Sequence, residues 1–195
     1  AYYRAPFAAD ASPPTSDLFP VPNAYVPTRA LAPLHPRKKR VALSDLGPPS
    51  AYAETDAWRL WHKEDEIFGL PRAAVLVLVR SGAFGYTARD AVYARVWRSL
   101  VNDALRDADY DSGAASYDAA LAGLEWTLSS GPRGVALTFG GFDDKLGAFA
   151  TQTAKALRNL DAVDYASRDG GAPLQRVVDA VDREIARDAV APPSA

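Results

Sequence analysis

The sequence predicts an α+β fold: an antiparallel or mixed sheet packed with helices, preceded by a Pro-rich extended arm. Three observations predict it. Ten of the fifteen prolines fall in the first 49 residues, which rules out regular helix and central strand there. Beyond that point, short runs alternating apolar and polar residues interleave with stretches of helical period. Two of the strand-like runs are joined by Ser130-Gly131-Pro132-Arg133-Gly134, a hairpin-type connection that makes them antiparallel neighbours.

In order, residues 1–49 read as an extended arm laid on a surface or linking to something upstream. The arm contains Arg37-Lys38-Lys39-Arg40, either a solvated basic loop or a nuclear-localisation or polyanion patch. Residues 50–190 form the domain, and residues 191–195 a disordered tail. Residues 57–61 followed by His62-Lys63-Glu64-Asp65 resemble a strand edge running into a charged turn. Residues 73–80 (AAVLVLVR) are apolar at both parities, as in a central strand covered on both faces. A Gly-containing loop over 81–86 leads to Thr87, which with Asp90 has the spacing of a capping box. Val92, Val96, Leu100 and Leu105 follow at helical spacing, predicting a helix to about Asp107. Residues 109–116 read as turn, with a short helical turn over 119–121. Leu124, Trp126 and Leu128 alternate with Glu125 and Thr127, a half-buried strand. Val135, Leu137 and Phe139 form its hairpin partner, broken by Gly140-Gly141. Asp143 or Asp144 then caps a helix with the stripe Leu146, Phe149, Ala150, Thr153, Leu157 and Leu160. A last helix follows Pro173, with Leu174, Val177, Val178, Val181 and Ile185 on one face. No internal repeat is visible.

At 195 residues, with 48% hydrophobic and 24% charged residues, the chain has ordinary globular composition and length for one domain with tails. A formal net charge of −2 gives no basic excess for nucleic acid, so no nucleic-acid partner is expected. No apolar run is long enough to span a bilayer and no secretory signal is visible, so no membrane partner is expected. The absence of Cys removes disulfides, thiolate catalysis and thiolate metal sites. Met is also absent, even at position 1, which suggests a piece of a longer or processed product.

The search for chemistry is negative. The two histidines, His35 and His62, are tied to no serine of a nucleophile elbow, so a Ser-His-Asp triad has no support. Gly82-Ala83-Phe84-Gly85 lacks the residues of a phosphate loop. Gly140-Gly141-Phe142-Asp143-Asp144 would repel an anion with its two carboxylates. His62-Lys63-Glu64-Asp65-Glu66 echoes the zinc motif H-x-x-E-H. However, Asp65 stands in the Glu place and Glu66 replaces the second imidazole, so the metal-holding pair is missing. Trp97 and Trp126 are expected in the core. No catalytic, cofactor-binding or metal-binding residue is assigned.

Four ordered motifs carry a resemblance. Residues 19–28 (FPVPNAYVPT) resemble the "lP-x-PN-x-[FY]-[IV]-PT" segment of the middle domain of the insulysin/pitrilysin zinc peptidases. Residues 60–73 (LWHKEDEIFGLPRA) resemble that domain's "LW-[FY]-K-x-DD-x-F-x-[LV]-PKA". Residues 117–124 (YDAALAGL) are similar to "Y-x-A-x-LAGL", and residues 140–146 (GGFDDKL) to "x-G-[YF]-[NS]-DK-[LQ]". The positions carried by these motifs are Pro22, Asn23, Pro27, Thr28, Leu60, Trp61, Lys63, Asp65, Phe68, Pro71, Ala122, Gly123, Leu124, Gly141, Asp144 and Lys145. They are taken as structural positions. Trp61 and Phe68 are expected to pack, Gly123 and Gly141 to serve backbone geometry, and Asn23 and Thr28 to fix the arm. Lys145 is expected to pair with a carboxylate.

The resemblance implies the third of four α+β domains that enclose peptide substrates in a chamber. It also implies sister domains as partners, and zinc held by an H-x-x-E-H domain outside this chain. The alternative is a stand-alone, catalytically inactive interaction or scaffold module of the same descent. A domain cut from a larger assembly should expose a sizeable apolar patch; an independent module should not.

Overall fold

The computed structural model describes residues 22–28, 46–65, 67–84, 87–106 and 113–190. The chain order is β1 (Ser50–Glu54), β2 (Arg59–His62), β3 (Arg72–Arg80), α1 (Ala88–Arg106), α2 (Gly113–Leu121), β4 (Glu125–Gly131), β5 (Gly134–Phe142), α3 (Asp143–Asn159), α4 (Ala162–Ser167) and α5 (Ala172–Val190). β1 and β2 make a two-stranded antiparallel ribbon. The other strands form an antiparallel sheet in the order β3-β5-β4.

Alternation places the core. Trp126 and Leu128 of β4 lie opposite Phe139 and Leu137 of β5, and all four are buried, while Glu125 and Thr127 face outward. Val101 and Leu105 of α1 and Leu146 and Phe149 of α3 close over that face. Phe139 and Phe149 meet edge to face at 6.0 Å. A second cluster joins α1, α4 and α5 through Leu100, Ala104, Tyr165, Ala166, Val177 and Val181. The Tyr165 hydroxyl donates to Asp103 Oδ2 at 3.0 Å, and Arg176 donates to the same oxygen at 2.8 Å. That bond and the Asp103 charge raise the Arg176 pKa further.

The helix starts follow local chemistry. Thr87 and Asp90 form a reciprocal capping box: Asp90 N donates to Thr87 Oγ1 at 3.2 Å, and Thr87 N to Asp90 Oδ2 at 3.3 Å. Asp161 Oδ1 accepts from Val163 N and Asp164 N at the start of α4.

Several expectations need correction. The segment taken as turn before a short helical piece is helical from Gly113 to Leu121. Gly140-Gly141 does not break β5, which runs on to Phe142; Gly141 lies where the backbone of residues 123–124 passes close by, and Gly140 beside the Glu125 side chain. Neither Asp143 nor Asp144 is the N-cap of α3; that position is Phe142, and both carboxylates sit in the first turn. β1 and α4 lie in segments given no element from sequence. β3 is a strand, but not a covered central one. Its only partner among the described residues is β5, and all nine of its residues are exposed. Helix α3 reaches only part of one face of β3, so most of the strand's apolar surface is uncovered among the described residues. The residues of the basic run 37–40 lie outside the described ones, as do most of the arm and the tail.

Candidate functional site

The motif positions gather in two places. The first is a clamp that fixes residues 22–28 on the helical layer. Two prolines, Pro22 and Pro27, bracket the segment and favour extended backbone. Asn23 Nδ2 donates to the Asp118 carbonyl on α2 at 2.6 Å, and its Oδ1 accepts from Tyr25 N at 2.8 Å. The resulting turn, completed by Val26 N to the Asn23 carbonyl, aims Tyr25 inward. Tyr25 is buried; its ring meets Phe149 edge to face at 5.6 Å and its hydroxyl donates to Gln152 Oε1 on α3. Burial, and secondarily the Asp118 charge, pushes the Tyr25 phenol above its ordinary pKa. Thr28 then bonds Asp144 on the first turn of α3, through N at 2.8 Å and Oγ1 at 3.1 Å.

The floor of this clamp is a close approach of two backbones. Gly123 ends α2 with positive φ (76°), with Gly123 N donating to the Ala120 carbonyl and Leu124 N to the Ala119 carbonyl at 2.9 Å. The bonds form a Schellman motif, and they drop the buried Ala122 and Leu124 onto the core. Gly141 has φ 140°, and a Cβ there would meet the Gly123 carbonyl oxygen at 2.6 Å. Pro71, buried before β3, accepts from Asp143 N at 3.1 Å and so ties the strand start to α3. Lys145 lies in the same turn of α3 and makes no ion pair among the described residues.

The second place is the ribbon and the turn after it. Leu60 and Trp61 of β2 are exposed, Trp61 at 55%, with the Arg59 guanidinium 5.9 Å from the Trp61 ring centre. Lys63 Nζ donates to the Gly47 carbonyl, holding the ribbon to the segment before β1. Asp65 Oδ1 accepts from Ile67 N and Phe68 N, each at 2.9 Å. Those backbone bonds hold its carboxyl below the usual carboxylate range. Phe68 is 64% exposed. The expectation that Trp61 and Phe68 pack is therefore not met, because the ribbon has no second layer against it among the described residues.

Tyr25, Asp118 and Gln152 complete the clamp with Phe149 of the α3 stripe, and those three were not singled out from sequence. Tyr25 had a signal, an aromatic residue in a proline-framed stretch. Asp118 and Gln152 had none, because they lie 95 and 127 positions from their partners.

The residues were tested for a zinc site. His62 is the one histidine among the described residues, set edge-on to Tyr52 at 6.2 Å. Asp65 is engaged by backbone N–H groups, and no group of three His, Asp or Glu converges among the described residues. The donors among the described residues do not make a zinc site. No helix of the described residues is long and apolar enough to cross a membrane.

The sequence model described as the middle or third domain of peptidase M16 matches residues 8–168. The chain belongs to the M16 peptidase middle-domain family. It is 30% identical over 147 residues to a putative zinc protease, mug138, of Schizosaccharomyces pombe, covering 75% of this chain and 14% of that protein. It is 25% identical over 142 residues to the A-factor-processing enzyme of Saccharomyces cerevisiae, covering 73% and 13%. The M16 middle domain is also similar in fold to the crystal structure of pitrilysin, with TM-score 0.63 and 17% identity over 85% of this chain and 16% of that one. It thus spans about one seventh of the length of these curated relatives.

Proposed function

We propose that this chain is a non-catalytic middle domain of an insulysin-like zinc metalloendopeptidase. In that reading residues 50–190 form part of the wall of a substrate-enclosing chamber, in its C-terminal half. Residues 1–49 are the arm that links the domain to what precedes it, and residues 191–195 a tail. Peptide hydrolysis is carried out by an H-x-x-E-H domain outside this chain, which also holds the zinc. The partners are the sister domains and the enclosed peptide.

One observation carries the reading beyond family membership. Large apolar side chains stand uncovered along residues 52–79: Tyr52, Trp58, Leu60 and Trp61 on the ribbon, Phe68 and Leu70 after it, and Val75 to Val79 in β3. Such a surface suits a piece of a larger assembly better than an independent module. The clamp supports a structural role, since it uses the motif residues to hold the arm rather than to present reactive atoms.

The test is a matched assay. The 195-residue chain and the full product of its parent transcript are each measured for bound zinc and for cleavage of a quenched fluorescent peptide. Zinc and cleavage confined to the longer product support the reading. A longer product without either makes the chain part of an inactive scaffold, and zinc-dependent cleavage by the 195 residues alone overturns both.

A further inference from the structure

The three-stranded sheet contains one complete split β-α-β unit. β3 and β4 both run antiparallel to β5, which lies between them, so β3 and β4 are parallel and are joined through α1 and α2. The chain then begins the symmetric unit: β5 leads into α3, α4 and α5. A right-handed return from those helices delivers a strand parallel to β5, on the far side of β3. That place is empty of any described strand.

β3 is written for such a neighbour. Val75, Val77 and Val79 share the helix-covered face with Phe139, Leu137 and Val135, yet are 39%, 43% and 52% exposed. Leu76 and Leu78 lie on the opposite face, the former 69% exposed. A nine-residue edge strand, apolar over its seven inner residues and left open in this way, is a pairing template. Its ends are cationic. Arg80 has no ion pair among the described residues, and Arg72 lies over the Phe142 ring, 5.3 Å from its centre. These charges choose between occupants. A second copy pairing antiparallel about Leu76 would set Arg72 opposite the other copy's Arg80 at both ends, which disfavours it. The five residues after α5 (APPSA) are too few and contain two prolines.

We propose that the free edge of β3 receives an antiparallel strand from another part of the longer peptidase polypeptide, apolar toward the helices and carrying carboxylates opposite Arg72 and Arg80. The inference rests on the multidomain reading for the source of the strand. The strand turns β3 from an edge into an inner member of a four-stranded sheet and gives its open row of backbone N–H and C=O groups a partner. It adds main-chain hydrogen bonds for affinity and end charges for register.

The test uses the 195-residue chain, labelled with nitrogen-15 and titrated with two synthetic nine-residue peptides of alternating valine and threonine. One peptide has aspartate at both ends, the other lysine. The expected result is that alternate amides between Ala73 and Val79 shift on addition of the aspartate peptide. Its affinity should exceed that of the lysine peptide by roughly fivefold or more, a difference that shrinks in high salt. Amides of β3 that ignore both peptides to millimolar concentration, or that bind them equally, overturn the proposal. So does a concentration-dependent dimer that Leu76→Lys dissolves, since a second copy then owns the edge; Leu76 is exposed, so that variant keeps its core. Failure here leaves the zinc and cleavage assay untouched, so the two readings fail separately.

Discussion

Replacing Gly141 by alanine tests whether the clamp floor depends on the approach of β5 to the end of α2. Gly141 has φ 140°, and an added Cβ meets the Gly123 carbonyl oxygen at 2.6 Å, Leu124 Cδ2 at 2.7 Å and Leu124 Cα at 3.0 Å. Two of those neighbours are backbone, fixed by the Schellman bonds and by the β3–β5 ladder, so they cannot swing aside. The sparsely populated φ costs about 1–3 kcal/mol. Overpacking adds about 1–3 kcal/mol. For a chain of this size, about 3 °C per kcal/mol puts the fall in Tm between about 6 and 18 °C. Gly147→Ala is the paired control. Gly147 lies inside α3 with open space around its Cβ position, so alanine should stabilise the helix by about 0.5–1 kcal/mol and raise Tm by about 2–3 °C. Both values come from one thermal melt followed by circular dichroism. Equal and small shifts for the two variants refute the close-approach argument, as does a rise in Tm for Gly141→Ala.

Further outcomes follow from the same contacts. Trp126→Ala empties a buried site under α1 and should cost about 3–5 kcal/mol, measured by urea unfolding. Tyr25→Phe keeps the ring on Phe149 but removes the hydroxyl that donates to Gln152; a loss of about 0.5–1.5 kcal/mol and faster proteolysis next to residues 22–28 are expected. Tyr25 has a raised pKa in the folded state, so its contribution is whole below its unfolded value and is lost as pH climbs past about 10; Tyr25→Phe should flatten that alkaline loss. Asp65 has a lowered pKa, so its contribution is whole above its unfolded value and is lost as pH falls below about 4; the Tm difference between wild type and Asp65→Asn should vanish in acid.

Elements whose determinants are local were legible in the sequence. The Thr87–Asp90 capping box, the alternation of Leu124, Trp126 and Leu128, and the stripe of Leu146, Phe149 and Thr153 on α3 each declare themselves within one or two turns. Elements set by distant neighbours were not. Gly140-Gly141 carries the usual signal of a break, yet the strand continues, and at Gly141 the end of α2 presses so close that only glycine leaves room. Asp144 was expected to serve its own helix, but its carboxylate is met by Thr28, 116 positions away. The α+β class and the family were readable. The clamp that joins several of the motif positions was not, because Tyr25 and Gln152 are 127 positions apart and neither carries a local sign of the other.

The misreading of β3 has a different cause, and it ties the fold to the proposed function. Side-chain pattern reports the surroundings a strand was selected for, and residues 73–79 were selected for cover on both faces. The described residues provide β5 as a partner on one side and only a light contact from α3 on one face. A strand that is correct in type and wrong in environment is expected where a sheet is only partly present. The aromatic ribbon shows the same mismatch, with Trp58, Leu60 and Trp61 exposed in a segment that carries family motif residues. By contrast β4, whose alternation predicts one buried and one wet face, has both. The mismatches therefore fall on β3 and on the ribbon, while the hairpin of β4 and β5 and the helices over it match their patterns.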